Sequence, residues 1–288
     1  MASTQQIKRR IRSVKNTKQI TKAMELVAAS KMRKAQEATL KSRAYRNTAQ
    51  EILARLGELT DVSAYPLFNK RTIKNRLYIL ITSDRGLAGA YNSNMLKMFT
   101  KKMQEDEKSG VGKYAITVGR QGARFASRIK GLEIVGDYFG FPDQPSANDL
   151  KPIIETISRM FLEKEVDEVV VMFTDFKSSI SQEALSQRIL PAIVDDAPVR
   201  KDLEDAVFEP SPKAVLETIT PKLVEVQLFQ AFLESSASEH SMRMLAMKNA
   251  SDNASDLIDD LTLVFNSARQ ASITQELAEI TGGAEAIA

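Results

Sequence analysis

Ser211-Pro212-Lys213-Ala214-Val215-Leu216 opens, and Ile280-Thr281-Gly282-Gly283 closes, the run of sequence that decides the fold. Serine followed by proline is a helix cap and the one helical position proline favours. The glycine pair predicts a stop. Between them lie about seventy residues with no glycine and a single proline, Pro221. Late in the run apolar residues fall at Leu257, Leu261, Val264 and Ala268, in steps of four, three and four. That is a heptad seam along one helix. At ~1.5 Å per residue the helix would be roughly 100 Å long, more than a globular domain of this size can use unless part of it projects.

An isolated apolar stripe is unstable in water and needs a partner. The opposite end of the chain supplies one. From Thr4 to Leu59 there is no proline, and the only glycine is Gly57. Apolar residues recur at Ile7, Ile11, Val14, Ile20, Met24 and Val27, and again at Tyr45, Ala49, Ile52, Leu56 and Leu59. The expected fold is an antiparallel coiled coil of the N- and C-terminal helices, residues 1–60 and 211–288, with a Rossmann-like α/β domain inserted at 61–210. The echo Asn249-Ala250-Ser251-Asp252, Asn253-Ala254-Ser255-Asp256 puts Ala250 and Ala254 one turn apart, where two helix backbones can approach closely. Its Asn, Ser and Asp are poor helix formers, so this stretch depends on its partner helix. Pro221 is compatible with a helix start or a kink.

The inserted segment alternates strand and helix. Leu77-Tyr78-Ile79-Leu80-Ile81-Thr82 reads as a buried strand and runs into Ser83-Asp84-Arg85-Gly86-Leu87-Ala88-Gly89, after which a helix extends to about Lys108. Further strands are expected at Tyr114–Val118, weakly at Ile134-Val135, at Val169–Thr174 and at Ala184–Ile189. Helices are expected near 120–128 and 148–164, the latter capped by Ser146 or Asn148. The pattern predicts a mostly parallel sheet with helical layers. Residues 195–211, rich in Asp, Glu and Pro, lead out of it.

Composition excludes several chemistries. There is no cysteine, so disulfides and thiolate metal sites are ruled out, and one histidine, His240, leaves little room for a zinc site or a serine–histidine triad. No apolar run reaches the roughly 20 residues of a membrane helix. The start of the chain is basic and amphipathic with no apolar core segment, and a secretory signal is not expected. Residues 1–46 hold thirteen Lys and Arg against Glu25 and Glu37, a local charge of +11, whereas the remainder carries −8. Either this is a solvated helix face, or it meets an acidic partner: nucleic acid, lipid headgroups or acidic protein. No aromatic residue precedes Tyr45, which argues against base stacking on single-stranded nucleic acid. The glycine turn after the first strand invites a nucleotide reading. However, Gly86 and Gly89 do not make G-x-G-x-x-G, and no P-loop Lys-Ser/Thr follows. A nucleotide-binding α/β enzyme and a basic coiled-coil nucleic-acid binder remain as alternatives.

Three stretches carry a family resemblance: Ile11-Arg12-Ser13-Val14-Lys15-Asn16-Thr17-Lys18-Gln19-Ile20-Thr21-Lys22-Ala23-Met24-Glu25-Leu26-Val27-Ala28-Ala29-Ser30-Lys31, Ser83–Gly89, and Phe265-Asn266-Ser267-Ala268-Arg269-Gln270-Ala271-Ser272-Ile273-Thr274-Gln275-Glu276-Leu277-Ala278-Glu279-Ile280. In order, spacing and length the whole chain resembles the gamma subunits of F-type, proton-translocating ATP synthases. The resemblance implies a non-catalytic rotor, one copy per complex, with no cofactor and no metal. Its partners would be the alpha and beta subunits of the catalytic hexamer, the epsilon subunit and the membrane c-ring, at the cytoplasmic face of a bacterial plasma membrane. It implies that Met24 and Arg243 lie near an acidic lever of beta, and that the turn bearing Arg85 and Ala88 passes near the same lever. Arg269, Gln270, Thr274 and Glu276 would meet loops of the surrounding subunits as a polar girdle. Phe208 and Glu209 would face the c-ring and epsilon. Two positions depart from the family: Ala88 stands where many members have cysteine, and Glu285 where alanine is usual.

Overall fold

The computed structural model describes residues 4–59, 65–142, 145–192, 208–209 and 211–285. Two compact units are distinguishable, Ala29–Met242 and a second made of Met1–Ala28 with Arg243–Ala288.

The larger unit is an α/β layer structure. Its strands are β1 (Asn75–Ile81), β2 (Gly112–Val118), β3 (Leu132–Tyr138), β4 (Glu168–Phe176) and β5 (Gln182–Leu190), arranged 3-2-1-4-5. The first four are parallel and β5 closes the edge antiparallel to β4. The central strands β1 and β4 are buried on both faces, which is why they read as unbroken apolar runs. The two faces of the sheet pack different helices. Leu77, Ile79, Ile81, Val169, Val171 and Phe173 meet α4 (Ala147–Leu162) and the Val224–Phe232 stretch of α5 (Pro212–Glu285). Tyr78, Leu80, Ala115, Val170 and Met172 meet α2 (Tyr91–Ser109) through Met95, Phe99 and Met103, and α3 (Arg120–Ala126) through Ala126. Ser146 caps α4 in a reciprocal box with Asp149, so the serine and not Asn148 is the start signal. A third cluster joins Leu53 and Leu56 of α1 (Thr4–Leu59) to Leu216 and Leu223 of α5. The expected exit segment at 195–211 lies almost wholly outside the described residues.

At the β2–α3 junction Gly119 has φ +90°, and a Cβ there would lie 2.7 Å from the Thr82 carbonyl carbon. Gly119→Ala would combine left-handed strain with overlap against backbone. It is expected to destabilise the unit by about 2–4 kcal/mol, read as a lower urea midpoint at unchanged slope.

The smaller unit is a helix pair. Ile7, Ile11, Val14, Lys18, Thr21, Met24 and Ala28 of α1 form the covered row, matched on α5 by Met247, Ser251, Ala254, Ile258, Leu261, Phe265 and Ala268. The echo at 249–256 supplies Ser251 and Ala254 to the packed face, both nearly fully buried. The seam differs in phase from the sequence expectation. Leu257 and Val264 are 46% and 54% exposed, and Ile20 and Val27 are 60% and 55% exposed. Each has an equally suitable neighbour one place along or at the next turn, and packing selects that neighbour. Two helix signals also resolve. Ser211 Oγ accepts the Ala214 N–H, and Pro221 sits inside α5 rather than starting it. The glycine pair does not end the helix, which continues to Glu285. Glycine raises the cost of helix by about 1 kcal/mol per residue but blocks nothing, and no left-handed backbone occurs at Gly282.

Candidate functional site

In an open parallel sheet a ligand crevice lies at the carboxyl ends of the strands where the strand order reverses. Here that point is between β1 and β4, and the chain fills it with its own groups. Ser235 of α5 accepts the Thr174 N–H at 3.3 Å and pairs with the Tyr91 hydroxyl at 2.8 Å. Asn92 takes the Ser83 N–H at 3.1 Å and donates to Ser83 Oγ at 2.7 Å. Thr82 Oγ1 accepts the Gly122 N–H and donates to the Val118 carbonyl. Where a phosphate would meet the start of α3, the Asp84 carboxylate accepts the Arg120 N–H at 3.1 Å and the Gly140 N–H at 2.8 Å. The glycine turn is therefore tied by the Asp84 carboxylate to the start of α3 and to the loop after β3.

The turn presents an outer face instead. Gly89 uses its positive φ of 53°, but so does Leu87, at φ 63° and 64% exposed. A bulky side chain held in a left-handed conformation in the open is an uncommon backbone state. Arg85 and Gly86 beside it are exposed, whereas Ala88 is buried, so the position of Ala88 serves packing.

The last turns of α5 form a second surface. Every described side chain from Arg269 to Gly282 is exposed. Arg269 and Glu276, seven residues apart, share one face, and Gln270 and Thr274 share another roughly a third of a turn away. Between these polar rows runs an apolar stripe of Ile273, Leu277 and Ile280, all exposed. The polar rows stand out in the sequence, and this stripe does not. Its four-three spacing was legible, but it reads as more of the buried seam. Thr274 Oγ1 returns to the Gln270 carbonyl and Ser272 reaches Glu276, so the helix holds these side chains locally.

In the helix-pair unit Met24 and Arg243 are half-buried. Lys15, Lys18 and Lys22 line a shallow groove with Leu26 and Ile258. Phe208 packs on the Leu53–Leu216 cluster, and Glu209 next to it is exposed. No helix of the described residues is long and apolar enough to cross a membrane.

Residues 3–287 match a family model described as ATP synthase. The chain is 40% identical to the ATP synthase gamma chain of Moorella thermoacetica over 287 residues and 42% identical to that of Desulfitobacterium hafniense, each alignment covering all of both chains. Among solved structures, a chain of the central stalk and c-ring of the Tetrahymena thermophila mitochondrial ATP synthase is similar at 26% identity and a TM-score of 0.60, covering 81% of this chain and 99% of that one. A chain of the Euglena gracilis mitochondrial enzyme shares the fold at 18% identity and a TM-score of 0.70, covering 99% of this chain and 94% of that one.

Proposed function

The chain belongs to the ATP synthase gamma-chain family, and from that premise we propose that it is the central-stalk rotor subunit of a proton-translocating F-type ATP synthase. The observation that carries this reading is full-length similarity to gamma chains at 40–42% identity. The geometry fits it. Paired helices resist twist and bending, and the α/β layer spends its ligand crevice on its own side chains. Residues 1–60 and 211–288 serve as the shaft and 61–210 as the foot.

In this role the subunit is non-catalytic and uses no cofactor. Rotation of the c-ring turns it, and its changing face drives each beta subunit in sequence through conformations that bind, convert and release nucleotide. Its partners are the alpha and beta subunits of the hexamer, epsilon and the c-ring, with one copy per complex. It is peripheral, at the cytoplasmic face of a bacterial plasma membrane. Met24, Arg85 and Arg243 face the acidic lever of beta, where the +11 charge of residues 1–46 favours approach. Ala88 supports the turn behind Arg85. Arg269, Gln270, Thr274 and Glu276 meet the hexamer around the end of α5, and Phe208 and Glu209 face the c-ring and epsilon.

Co-expression with alpha and beta from the same source tests this. The expected product is a particle with one copy of this chain per three alpha and three beta, whose ATP turnover depends on the chain. Well-folded alpha and beta that assemble and turn over identically without it would overturn the reading.

A further inference from the structure

Three serines of α5, Ser235, Ser238 and Ser241, stand at steps of three and are all buried. Each bonds to the end of β4 or to the turn that follows it. Ser235 Oγ accepts the Thr174 N–H at 3.3 Å, and Ser238 Oγ donates to the Thr174 carbonyl at 3.1 Å. Ser241 Oγ donates to the Ser179 carbonyl at 2.7 Å and accepts from Gln182 Nε2 at 3.2 Å. A serine side chain is short, so these bonds hold the helix close against the end of the sheet.

The β4–β5 turn is also closed by its own groups. The Ser178 N–H donates to the Ser181 carbonyl at 3.0 Å. Ser178 Oγ accepts the N–H groups of Ile180 at 3.3 Å and Ser181 at 3.0 Å. Gln182 Nε2 donates to the Ser178 carbonyl at 2.9 Å, and Lys177 pairs with Glu183 across the base. The turn so fixed carries one apolar side chain, Ile180, which is 82% exposed, more than any other large aliphatic side chain among the described residues. A lone exposed isoleucine is ordinary. One mounted on a preformed turn is suited to contact, because little conformational entropy remains to be lost when a partner covers it.

The topology says which partner. β1 and β4 are parallel neighbours, so the turns that follow them leave the same end of the sheet. Ile180 therefore shares that end with Leu87 and Arg85, both exposed. Lys177 and Arg120 at the start of α3 are exposed there too. Asp84 is engaged by two backbone N–H groups and Glu183 by Lys177. This end of the sheet carries more positive than negative charge, which complements an acidic partner.

We propose that the β4–β5 turn is a contact element, with Ile180 seated on the same acidic lever of beta that meets the Arg85–Leu87 turn. This rests on the rotor reading above. Two aliphatic points on adjacent strands, Leu87 and Ile180, with cations beside them, resist sliding where a single point would pivot. The serine row carries the load onward, since Ser241 joins the turn to α5 and Ser235 and Ser238 join α5 to β4.

The test uses the particle assembled from alpha, beta and this chain, with p-benzoylphenylalanine in place of Ile180. Illumination should give an adduct with beta that maps to its acidic lever, and ATP turnover should be lost in proportion to the adduct. The same photoprobe in place of Ser109, exposed at the opposite end of the sheet, should give no adduct with beta. Separately, Ile180→Asp should leave the thermal unfolding of the isolated chain unchanged but lower turnover of the particle about tenfold, the effect of uncovering one buried isoleucine. An adduct with another subunit only, or none, in a particle whose turnover depends on this chain would overturn the contact and leave the rotor reading standing. Parent-level turnover with Ile180→Asp would overturn it likewise. Alpha and beta that assemble and turn over identically without the chain would remove the rotor reading and this contact with it.

Discussion

Arg76→Ala is expected to cost about 3–5 kcal/mol, enough to unfold a marginal domain. Arg76 stands near the start of β1 and ties the neighbouring elements together. It pairs with Asp106 of α2 and with Glu168 of β4, and the Tyr78 hydroxyl donates to the other Asp106 oxygen at 2.6 Å. The Asp106 side chain is 3% exposed. Burial works against the Arg76 charge, but hydrogen bonds to Tyr78 and Glu168 outweigh it and the guanidinium stays ionised. Burial and the bond to Asp106 push the Tyr78 phenol above its ordinary range, so it remains a donor. Removing Arg76 alone strands two buried carboxylates beside each other. Chemical unfolding of the full chain should show the loss at pH 7. A triple replacement of Arg76, Asp106 and Glu168 by apolar residues of similar volume should recover most of the loss, since the pair energies and desolvation penalties disappear together. A single-variant loss below about 1 kcal/mol would show the network to be solvated.

Ending the chain after Ala268 separates folding from mechanics. Every described side chain from Arg269 to Gly282 is exposed, so the thermal unfolding of the isolated chain should stay within about 1 kcal/mol of the parent. In the assembled complex the same deletion removes the Ile273–Leu277–Ile280 stripe and its two polar flanks. If each apolar side chain is covered by a partner, it contributes on the order of 1.5–3 kcal/mol. The expected result is a less stable particle and a many-fold drop in coupled turnover, with the chain itself intact. Arg269→Ala and Glu276→Ala should each give a smaller loss, about 1–3 kcal/mol if the group is hydrogen-bonded to a partner. Equal turnover in the truncated and full-length complexes would remove this surface from the mechanism.

The sequence by itself determined the elements whose signals are local. Leu77–Ile81 and Val169–Phe173 could be read as central strands because a strand buried on both faces needs apolar residues at every position. Ser146 and Ser211 could be read as caps because a cap is a bond between near neighbours. The long terminal helices followed from the absence of breakers, and the rotor role followed from motif resemblance rather than from any chemical group. Tertiary structure decided what depends on a neighbour distant in sequence. It chose Ile258 over Leu257 and Phe265 over Val264, residues of similar hydropathy that only the facing helix can distinguish. It carried the Asp84 carboxylate across 56 residues to the Gly140 N–H. It also brought Arg43 within reach of Glu234, 191 residues away. No local pattern encodes such pairings, because the energy of a buried charge depends on what the fold places against it.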